Sequence, residues 1–451
     1  MMQNIESKFK IDKLSNYIFL ILFVILVLMT AFNIFTLSSV EFYRQDAMYY
    51  VEDYGFKFMT EGRWLNLLTF YIYKEFPSWF LIFGYFSSAA IFFYLIAKDI
   101  SGLKLNSAIF SLLCINAPPL YSLLLWPVAL YSSYFMLLIL YFYSKKVSQF
   151  EILLLSGIFS FGIISNLHFL TPLIFMGRLI EQSVKDNVRF IIYWVVTFVI
   201  GFMVANAFVY LVTLIKLDSP SFLSIETQRW RLLRPSEEGL DILYNIKYAL
   251  SVMLSDIVDG KFYFLLIGVF INAKYIFKNK RSFNLLVWAF LIYICFYTSN
   301  VFHGIKINFR SVASAFIGLS LLHLISSSRA NKLYLLCCIF FFICDNYMKM
   351  DWYSSQVNKV KSRFSSFQKD LSLGGDLAIV YWNPKFDKDF NFDLTDKPYG
   401  FLHLNHFRVA QTKPYLFEQG FDKVEFVEYD VNYTGEIKYE RKGETVHIYM
   451  Q

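Results

Sequence analysis

The sequence predicts a polytopic α-helical membrane protein with about eleven transmembrane helices and a small C-terminal α+β domain. Of its 451 residues, 57% are hydrophobic and only 17% are charged, whereas soluble domains contain roughly 45–50% apolar residues. The hydrophobic residues form long runs that are separated by short polar stretches. Beyond about residue 350 the runs shorten to the length of β-strands.

The first apolar run, 17–37, follows a polar leader that carries Lys8, Lys10 and Lys13. This run of about 21 residues exceeds the roughly 7–15-residue core of a cleaved signal, so we expect a retained anchor with a cytoplasmic N-terminus. The two short runs on either side of Asn166 are expected to form a tilted or partly re-entrant pair. The later runs are 77–97, 105–124, 128–143, 150–164, 168–181, 190–215, 261–277, 283–299, 312–326 and 333–349.

The loop charges predict the orientation, because short cytoplasmic loops are enriched in Lys and Arg. Every second loop is basic, through Lys98, Lys104, Lys145, Lys146, Arg178, Lys185, Arg189, Lys278, Lys280, Arg281, Arg329 and Lys332. The outer face then carries three polar stretches, 38–76, 216–260 and 300–311, and the C-terminal tail. Topology thus accounts for the net charge of +7. The scattered cations argue against a nucleic-acid-binding protein.

The tail, 350–451, has the pattern of a small α+β domain on the outer side. A polar helix is predicted over 351–371. Strands are predicted at 377–382, 424–429, 436–440 and 445–449, with Gly443 in the turn between the last two. We therefore divide the chain into a transmembrane domain, 1–349, and an outer domain, 350–451. All five cysteines lie in apolar runs, so we expect neither a structural disulfide nor a metal site.

The first outer stretch, 38–76, is the part of the chain densest in ionisable groups, and aromatic residues alternate with them. The charged side chains include Glu41, Arg44, Asp46, Glu52, Asp53, Glu61 and Arg63. Such a mixture is typical of a sugar-binding surface, which uses hydroxyl hydrogen bonds and ring stacking. It is equally typical of an interfacial amphipathic segment, so both interpretations stay open on the residues alone.

The order of these features resembles the phage-borne serotype-converting O-antigen glucosyltransferases of the Gtr type, within the GT-C superfamily. The local likeness lies in Gln45-Asp46 followed by Glu61-Gly62-Arg63-Trp64. Family members often carry two adjacent acids where this chain has Gln45-Asp46, and only the second acid is kept here. The likeness in layout covers nearly the whole chain and implies a GT-C-like fold in the bacterial inner membrane, with the outer domain in the periplasm.

The resemblance implies transfer of a hexose, by analogy glucose, from undecaprenyl phosphate to O-antigen or a related lipid-linked glycan. An inverting displacement needs one carboxylate base and a cationic group or bound metal near the phosphate. Asp46 is our candidate for the base. Asp53 is the alternative. If the segment is helical, Asp53 lies seven residues beyond Asp46 and on the same face. It would then bind a hydroxyl or a divalent ion next to Asp46. A surface pairing of Asp46 with Arg44 is the competing interpretation.

Three sets of cations are candidates for binding the donor phosphate, because arginine binds phosphate in a bidentate manner and outer-face cations depart from the usual charge rule. They are Arg63; Arg229, Arg231 and Arg234; and His303, Lys306 and Arg310. Binding of anionic lipid headgroups is the alternative role. Glu41, Trp64 and Trp230 are the candidates for binding sugar, with the tryptophans otherwise serving as interfacial anchors. His168 is expected to be a packing residue.

Two other functional classes remain alternatives. An O-antigen polymerase would also carry arginine-rich outer loops, but without an outer terminal domain of this size. A flippase or transporter of lipid-linked sugars would place ionisable residues inside its spans, or break helices in matching halves. Here the span interiors are almost free of charge and show no internal symmetry. The sequence therefore favours a glycosyltransferase.

Overall fold

The computed structural model describes residues 2–39, 58–59, 61–73, 76–123, 127–217, 221–223, 241–258, 260–277, 280–304, 307, 309–364, 374–382, 416, 419–428 and 437–450. Over these residues the chain is mostly helical and ends in a small sheet. It forms two compact units. The first contains the described residues up to Ser38 and those from 58 to Tyr347, and the second contains Ser39 and the described residues from Met348 onwards.

The helical part contains fourteen α-helices among the residues just given. They are α1 (Met2–Ser39), α2 (Trp64–Tyr73), α3 (Ser78–Ser101), α4 (Lys104–Ile115), α5 (Pro118–Leu123), α6 (Pro127–Tyr143), α7 (Gln149–Ile163), α8 (Met176–Leu179), α9 (Val184–Leu217), α10 (Ile242–Val258), α11 (Tyr263–Ile276), α12 (Lys280–His303), α13 (Ala313–Leu321) and α14 (Arg329–Phe364). Short 3-10 helices cover Ser165–Phe175, Phe309–Val312 and Leu322–Ile325.

Five of the described helices are long and apolar enough to cross a membrane. The qualifying segments are Tyr17–Ser38, Trp79–Ser101, Val184–Ile215, Lys280–Thr298 and Arg329–Asp351. Shorter apolar helices cover Lys104–Ile115, Ser132–Tyr143, Gln149–Ile163, Tyr263–Tyr275 and Ala313–Ile325. Many of their large apolar side chains face outwards, as Phe35 and Phe270 do, with 71% and 78% of their surface exposed. Outward-facing apolar side chains over several helices are what a lipid environment requires, and together with the five candidate spans they support a membrane protein.

Local sequence explains where the shorter helices begin. Ser148 accepts a hydrogen bond from the Glu151 amide at 3.3 Å, and the Glu151 carboxylate accepts one from the Ser148 amide at 2.7 Å. This reciprocal pair satisfies two amides that a helix start leaves without partners. It fixes the first turn of α7, whose other end supports the candidate site.

Two predicted elements differ from the structure. The run 168–181 forms the long 3-10 helix Ser165–Phe175 and the single turn α8, because Pro172 lies inside it and cannot donate a backbone hydrogen bond. Helix α14 continues from the last apolar run into the predicted polar helix, because neither proline nor glycine interrupts the chain from Arg329 to Phe364. The apolar run and part of the predicted polar helix thus form one continuous helix.

The second unit contains a four-stranded sheet in the order β2-β1-β4-β3. The strands are β1 (Gly375–Trp382), β2 (Phe421–Glu428), β3 (Ile437–Lys442) and β4 (Thr445–Met450). Strand β1 is parallel to β2 and β4, and β3 forms an antiparallel hairpin with β4. Ala378, Val380, Val446 and Ile448 are buried on one face, as the alternation of side chains along a strand predicts. All four predicted strands and the turn at Gly443 are confirmed.

Candidate functional site

The Glu61-Gly62-Arg63-Trp64 segment forms a tight turn directly before α2. The Gly62 amide donates to the Phe58 carbonyl, and the Trp64 amide donates to the Gly62 carbonyl, both at 2.8 Å. Gly62 has a φ of +71°, and a Cβ atom there would lie 2.7 Å from Leu223 Cδ1 and 3.2 Å from Ala205 Cβ. Only glycine accepts this conformation and this approach without strain. The first outer stretch thus contacts the beginning of the second at Gly62.

The side chains on either side of Gly62 form an ion pair between Arg63 and Glu61. Only 16% of the Arg63 side chain and 7% of the Glu61 side chain are exposed. Charges this poorly solvated are seldom found in a protein without a partner or a function. The turn therefore holds the Arg63 guanidinium, a planar group whose geometry matches carboxylate and phosphate oxygens, in a fixed position.

Trp64 and Asn66, which follow the Glu61–Arg63 ion pair, hold this part of the chain in place. The Trp64 ring stacks on Phe208 of α9 with ring centroids 5.0 Å apart. A Cβ atom at Gly162 would lie 2.8 Å from Trp64 Cε2, so α7 admits the indole only because residue 162 has no side chain. The Asn66 amide group donates to the Ile163 carbonyl at 3.0 Å. The start of α2 is thereby fixed on the ends of α7 and α9.

The third predicted outer stretch reaches the same region. The Asn166 amide group, three residues beyond α7, donates to the Ser311 carbonyl at 3.5 Å. Ser311 follows Arg310 in the 3-10 helix Phe309–Val312. We call the set formed by residues 61–66, 163–166, Leu223 and 309–311 the loop junction. Residues 163–166 therefore link the third predicted outer stretch to the first, which contacts the second at Gly62.

The described part of the chain covers only some of the predicted site residues. Arg63 and Trp64 lie in the loop junction. The backbone of His303 lies at the end of α12, and the backbone of Arg310 lies in the loop junction. The side chains of these last two residues are outside the described part. The other predicted site residues lie wholly outside the described residues, so their roles stay predictions. They are Glu41, Asp46, Asp53, Arg229, Trp230, Arg231 and Arg234.

A second polar cluster, which the sequence analysis did not identify, lies between α10 and α12. The Tyr297 hydroxyl donates to Asp256 at 2.7 Å, and Asp256 is only 5% exposed. The Asn245 amide group donates to the Val301 carbonyl at 3.0 Å. The Ile307 amide donates to the Tyr248 hydroxyl at 3.1 Å. The third outer stretch is thus tied to α10 as well as to the loop junction.

A buried ion pair joins Lys261, just before α11, to Asp345 of α14. Asp345 is 3% exposed, and the Lys261 ammonium lies 5.0 Å from the centre of the Phe341 ring. Lys261 has a φ of +62°, which costs a non-glycine residue about 1–2 kcal/mol. The surrounding structure must stabilise this conformation. An ionisable pair of this kind within a candidate span is a candidate functional feature.

Amide side chains continue the polar contacts next to this pair. The Asn346 amide group donates to the Asn116 carbonyl at 2.9 Å, and the Asn116 amide group donates to the Thr30 hydroxyl at 3.0 Å. The Asn33 amide group donates to the Ile343 carbonyl at 2.9 Å. Helices α1, α4 and α14 are therefore joined by polar contacts inside the bundle. Single polar residues within apolar runs are the only sequence signal for this set.

His168 is a packing residue, as predicted. It is 1% exposed, its Nδ1 lies 3.3 Å from the Ser156 hydroxyl, and its Nε2 lies 2.9 Å from the Trp194 carbonyl oxygen. Both ring nitrogens thus have partners that join α7 to α9. Among the residues that the structure describes, no group of three or more His, Cys, Asp or Glu side chains is placed to hold a metal ion.

Comparison of the chain with protein-family models, with curated proteins and with solved structures finds no match.

Proposed function

We propose that this protein is a membrane hexosyltransferase that uses a polyprenyl-phosphate-linked sugar. In this proposal the chain crosses the bacterial inner membrane about eleven times in a GT-C-like body. The N-terminus is cytoplasmic and the C-terminal domain periplasmic, as the loop charges predict. The donor is a hexose, by analogy glucose, on undecaprenyl phosphate, and the acceptor is O-antigen or a related lipid-linked glycan.

The observation that carries the proposal is the loop junction. An enzyme for a lipid-linked donor must bring a base and a cation together at the membrane surface, and these groups come from different loops of a polytopic chain. Gly62 contacts Leu223, Asn66 binds the Ile163 carbonyl, and Asn166 binds the Ser311 carbonyl. Residues 163–166 thus link the third predicted outer stretch to the first two. The poorly exposed Arg63–Glu61 pair at this point supports an anion-binding role for Arg63.

The proposed reaction is a single inverting displacement. The acceptor hydroxyl oxygen attacks the anomeric carbon of the sugar, and the bond from that carbon to the phosphate oxygen breaks. Asp46 takes the hydroxyl proton, and the departing polyprenyl phosphate carries the negative charge away. Arg63, together with Arg310 and the arginines of 229–234, stabilises that charge. Asp53 binds a hydroxyl or an ion next to Asp46.

The test is sugar transfer by the purified protein in lipid vesicles, with polyprenyl-phosphate glucose and a lipid-linked glycan acceptor, followed by mass spectrometry of the product. Asp46→Asn keeps the size of the side chain but removes the base, so the rate should fall roughly 10²–10⁴-fold. Asp53→Asn should have a smaller effect. Asp376→Asn, at an exposed position in β1, is the matched control and should keep full activity. Near-normal transfer by Asp46→Asn would move the base to Asp53 or Glu41.

The buried Lys261–Asp345 pair favours a second candidate function, transport of a lipid-linked sugar, because transporters place ionisable residues within their spans. A transporter moves its substrate without breaking the bond to the phosphate. The same vesicles distinguish the two functions. Unchanged donor that appears in the opposite leaflet would indicate transport, whereas free polyprenyl phosphate would indicate sugar transfer.

A further inference from the structure

Helix α10 has three kinds of surface around its circumference. At about 100° per residue, one sector carries large aliphatic side chains that are strongly exposed. Their exposed fractions are 65% for Leu243, 39% for Ile246, 54% for Leu250, 65% for Leu254 and 64% for Val258. These residues recur every three or four positions, so they form one continuous stripe. A helix on a water-exposed surface would not present such a stripe.

The opposite sector of α10 is buried and polar. Asn245 and Asp256 are 6% and 5% exposed, and they bind the Val301 carbonyl and the Tyr297 hydroxyl of α12. Ala249, at 5% exposed, lies between them on the same face. The helix is therefore inverted relative to one from a soluble protein, with polar groups inside and aliphatic groups outside. Apolar surroundings would stabilise this arrangement.

A third sector separates these two on one side only. It contains Ser251 and Ser255, which are polar and exposed, and the exposed Lys247 lies at the adjoining edge of the stripe, between Leu243 and Ser251 around the helix. A helix wholly within the hydrocarbon layer would expose an ammonium group to lipid at a cost of several kcal/mol, about 2.5–3.5 on insertion scales. An apolar sector beside an exposed polar sector is the pattern of a helix that lies at the membrane surface.

The contacts with α12 also place α10 at one end of a candidate span. Asn245 and Asp256 bind Val301 and Tyr297, which both lie within the last seven residues of α12. Since α12 contains the candidate span Lys280–Thr298, α10 packs against the end of that span that leads to His303.

We propose that α10 is an interfacial helix, and that the acyl chains of the bilayer cover its aliphatic stripe. Ser251 and Ser255 then face the headgroups and water, and the Lys247 side chain extends from the edge of the stripe to the headgroups. The lipid contact continues that of α12, which exposes Phe290 and Phe302. The consequence is that α10 keeps Asp256 and Tyr297 at headgroup depth, on the face of the membrane where α12 ends at His303. This inference does not depend on the proposed enzyme activity.

The test is nitroxide spin labelling of the full-length protein in vesicles of phosphatidylethanolamine and phosphatidylglycerol. The background carries alanine at the three cysteines that are not fully buried, Cys295, Cys337 and Cys344. Labels are placed through Leu250→Cys and Leu254→Cys on the stripe. The matched controls are Ser251→Cys and Ser255→Cys, which are exposed positions in the polar sector.

Collisions with oxygen, which concentrates in lipid, are compared with collisions with a water-soluble nickel complex. We expect a ratio of oxygen to nickel collisions several-fold higher at 250 and 254 than at 251 and 255. A high nickel signal at all four positions would place α10 in water and overturn the inference. Low signals from both reagents at 250 and 254 would mean that protein covers the stripe, and would also overturn it.

A second measurement avoids the cysteine replacements. Benzoylphenylalanine at position 250 should form a phospholipid adduct on irradiation, which mass spectrometry detects, whereas the same residue at position 251 should form much less. Equal adduct yields at the two positions, or no adduct at 250, would contradict the interfacial position of α10.

Discussion

Replacing Gly62 with alanine is the most informative single change, because Gly62 combines two constraints that can be separated. Its φ of +71° costs an L-residue about 1–2 kcal/mol. The new Cβ would also lie 2.7 Å from Leu223 Cδ1 and 3.2 Å from Ala205 Cβ. The Leu223 methyl group can rotate away but the Ala205 Cβ cannot, so we expect the lower part of the about 1–3 kcal/mol range for overpacking. The total loss of stability is therefore about 2–3 kcal/mol.

Gly102 is the matched control for this change. Its φ is +68°, but no atom lies within 4 Å of the position that a Cβ would take. Gly102→Ala should therefore cost only the conformational part, about 1–2 kcal/mol. Reversible unfolding of the purified protein by increasing amounts of SDS in mixed micelles measures both free energies. Leu223→Ala in the Gly62→Ala background should recover part of the steric cost.

Activity gives an independent measurement of the same change. The turn at Gly62 fixes the neighbouring Arg63, so Gly62→Ala should reduce sugar transfer even where most molecules remain folded, while Gly102→Ala should not. Equal destabilisation by the two alanine variants would refute the argument that Gly62 is required by its contact with Leu223 and Ala205. A loss of stability without a loss of transfer would leave the turn structural and remove Arg63 from the site.

Three further predictions follow from topology, electrostatics and packing. An export reporter fused after Gln451 should be active and one fused after Lys280 inactive; the reverse pattern would contradict the orientation derived from loop charges. Asp345→Asn removes the buried charge that pairs with Lys261 and should lower the free energy of unfolding by about 3–5 kcal/mol in the same assay. The lower figure is expected because 22% of the lysine side chain is exposed. A loss below about 1 kcal/mol would indicate a solvated pair. Trp64→Phe should keep most stability and transfer, whereas Trp64→Ala should lose up to about 3–5 kcal/mol; loss of transfer by a stable Trp64→Phe would instead favour stacking on a sugar.

The fold class and many elements could be predicted from the sequence because they depend on local properties. Long apolar runs need lipid or a protein interior, and strand-length alternation with Gly443 in a turn predicts a hairpin whatever surrounds it. The hydropathy pattern does not predict helix α10, because the polar stretch 216–260 that contains it is typical of an aqueous loop. In the structure Asn245 and Asp256 face the protein, and the aliphatic residues of α10 face outwards. Hydropathy measures composition along the chain and not the direction of each side chain.

What only the tertiary structure decided is which distant residues meet. The motif Glu61-Gly62-Arg63-Trp64 identified a candidate segment, but nothing local indicates that Gly62 would contact Leu223. Asn166 and Ser311 are 145 residues apart in sequence, and Lys261 and Asp345 are 84 apart. Hydrogen bonds and ion pairs of this kind form only after the helices have packed, because packing brings the side chains together and excludes the water that would otherwise solvate them. Composition and periodicity therefore determined that the chain enters a membrane, and packing determined where its charges are paired.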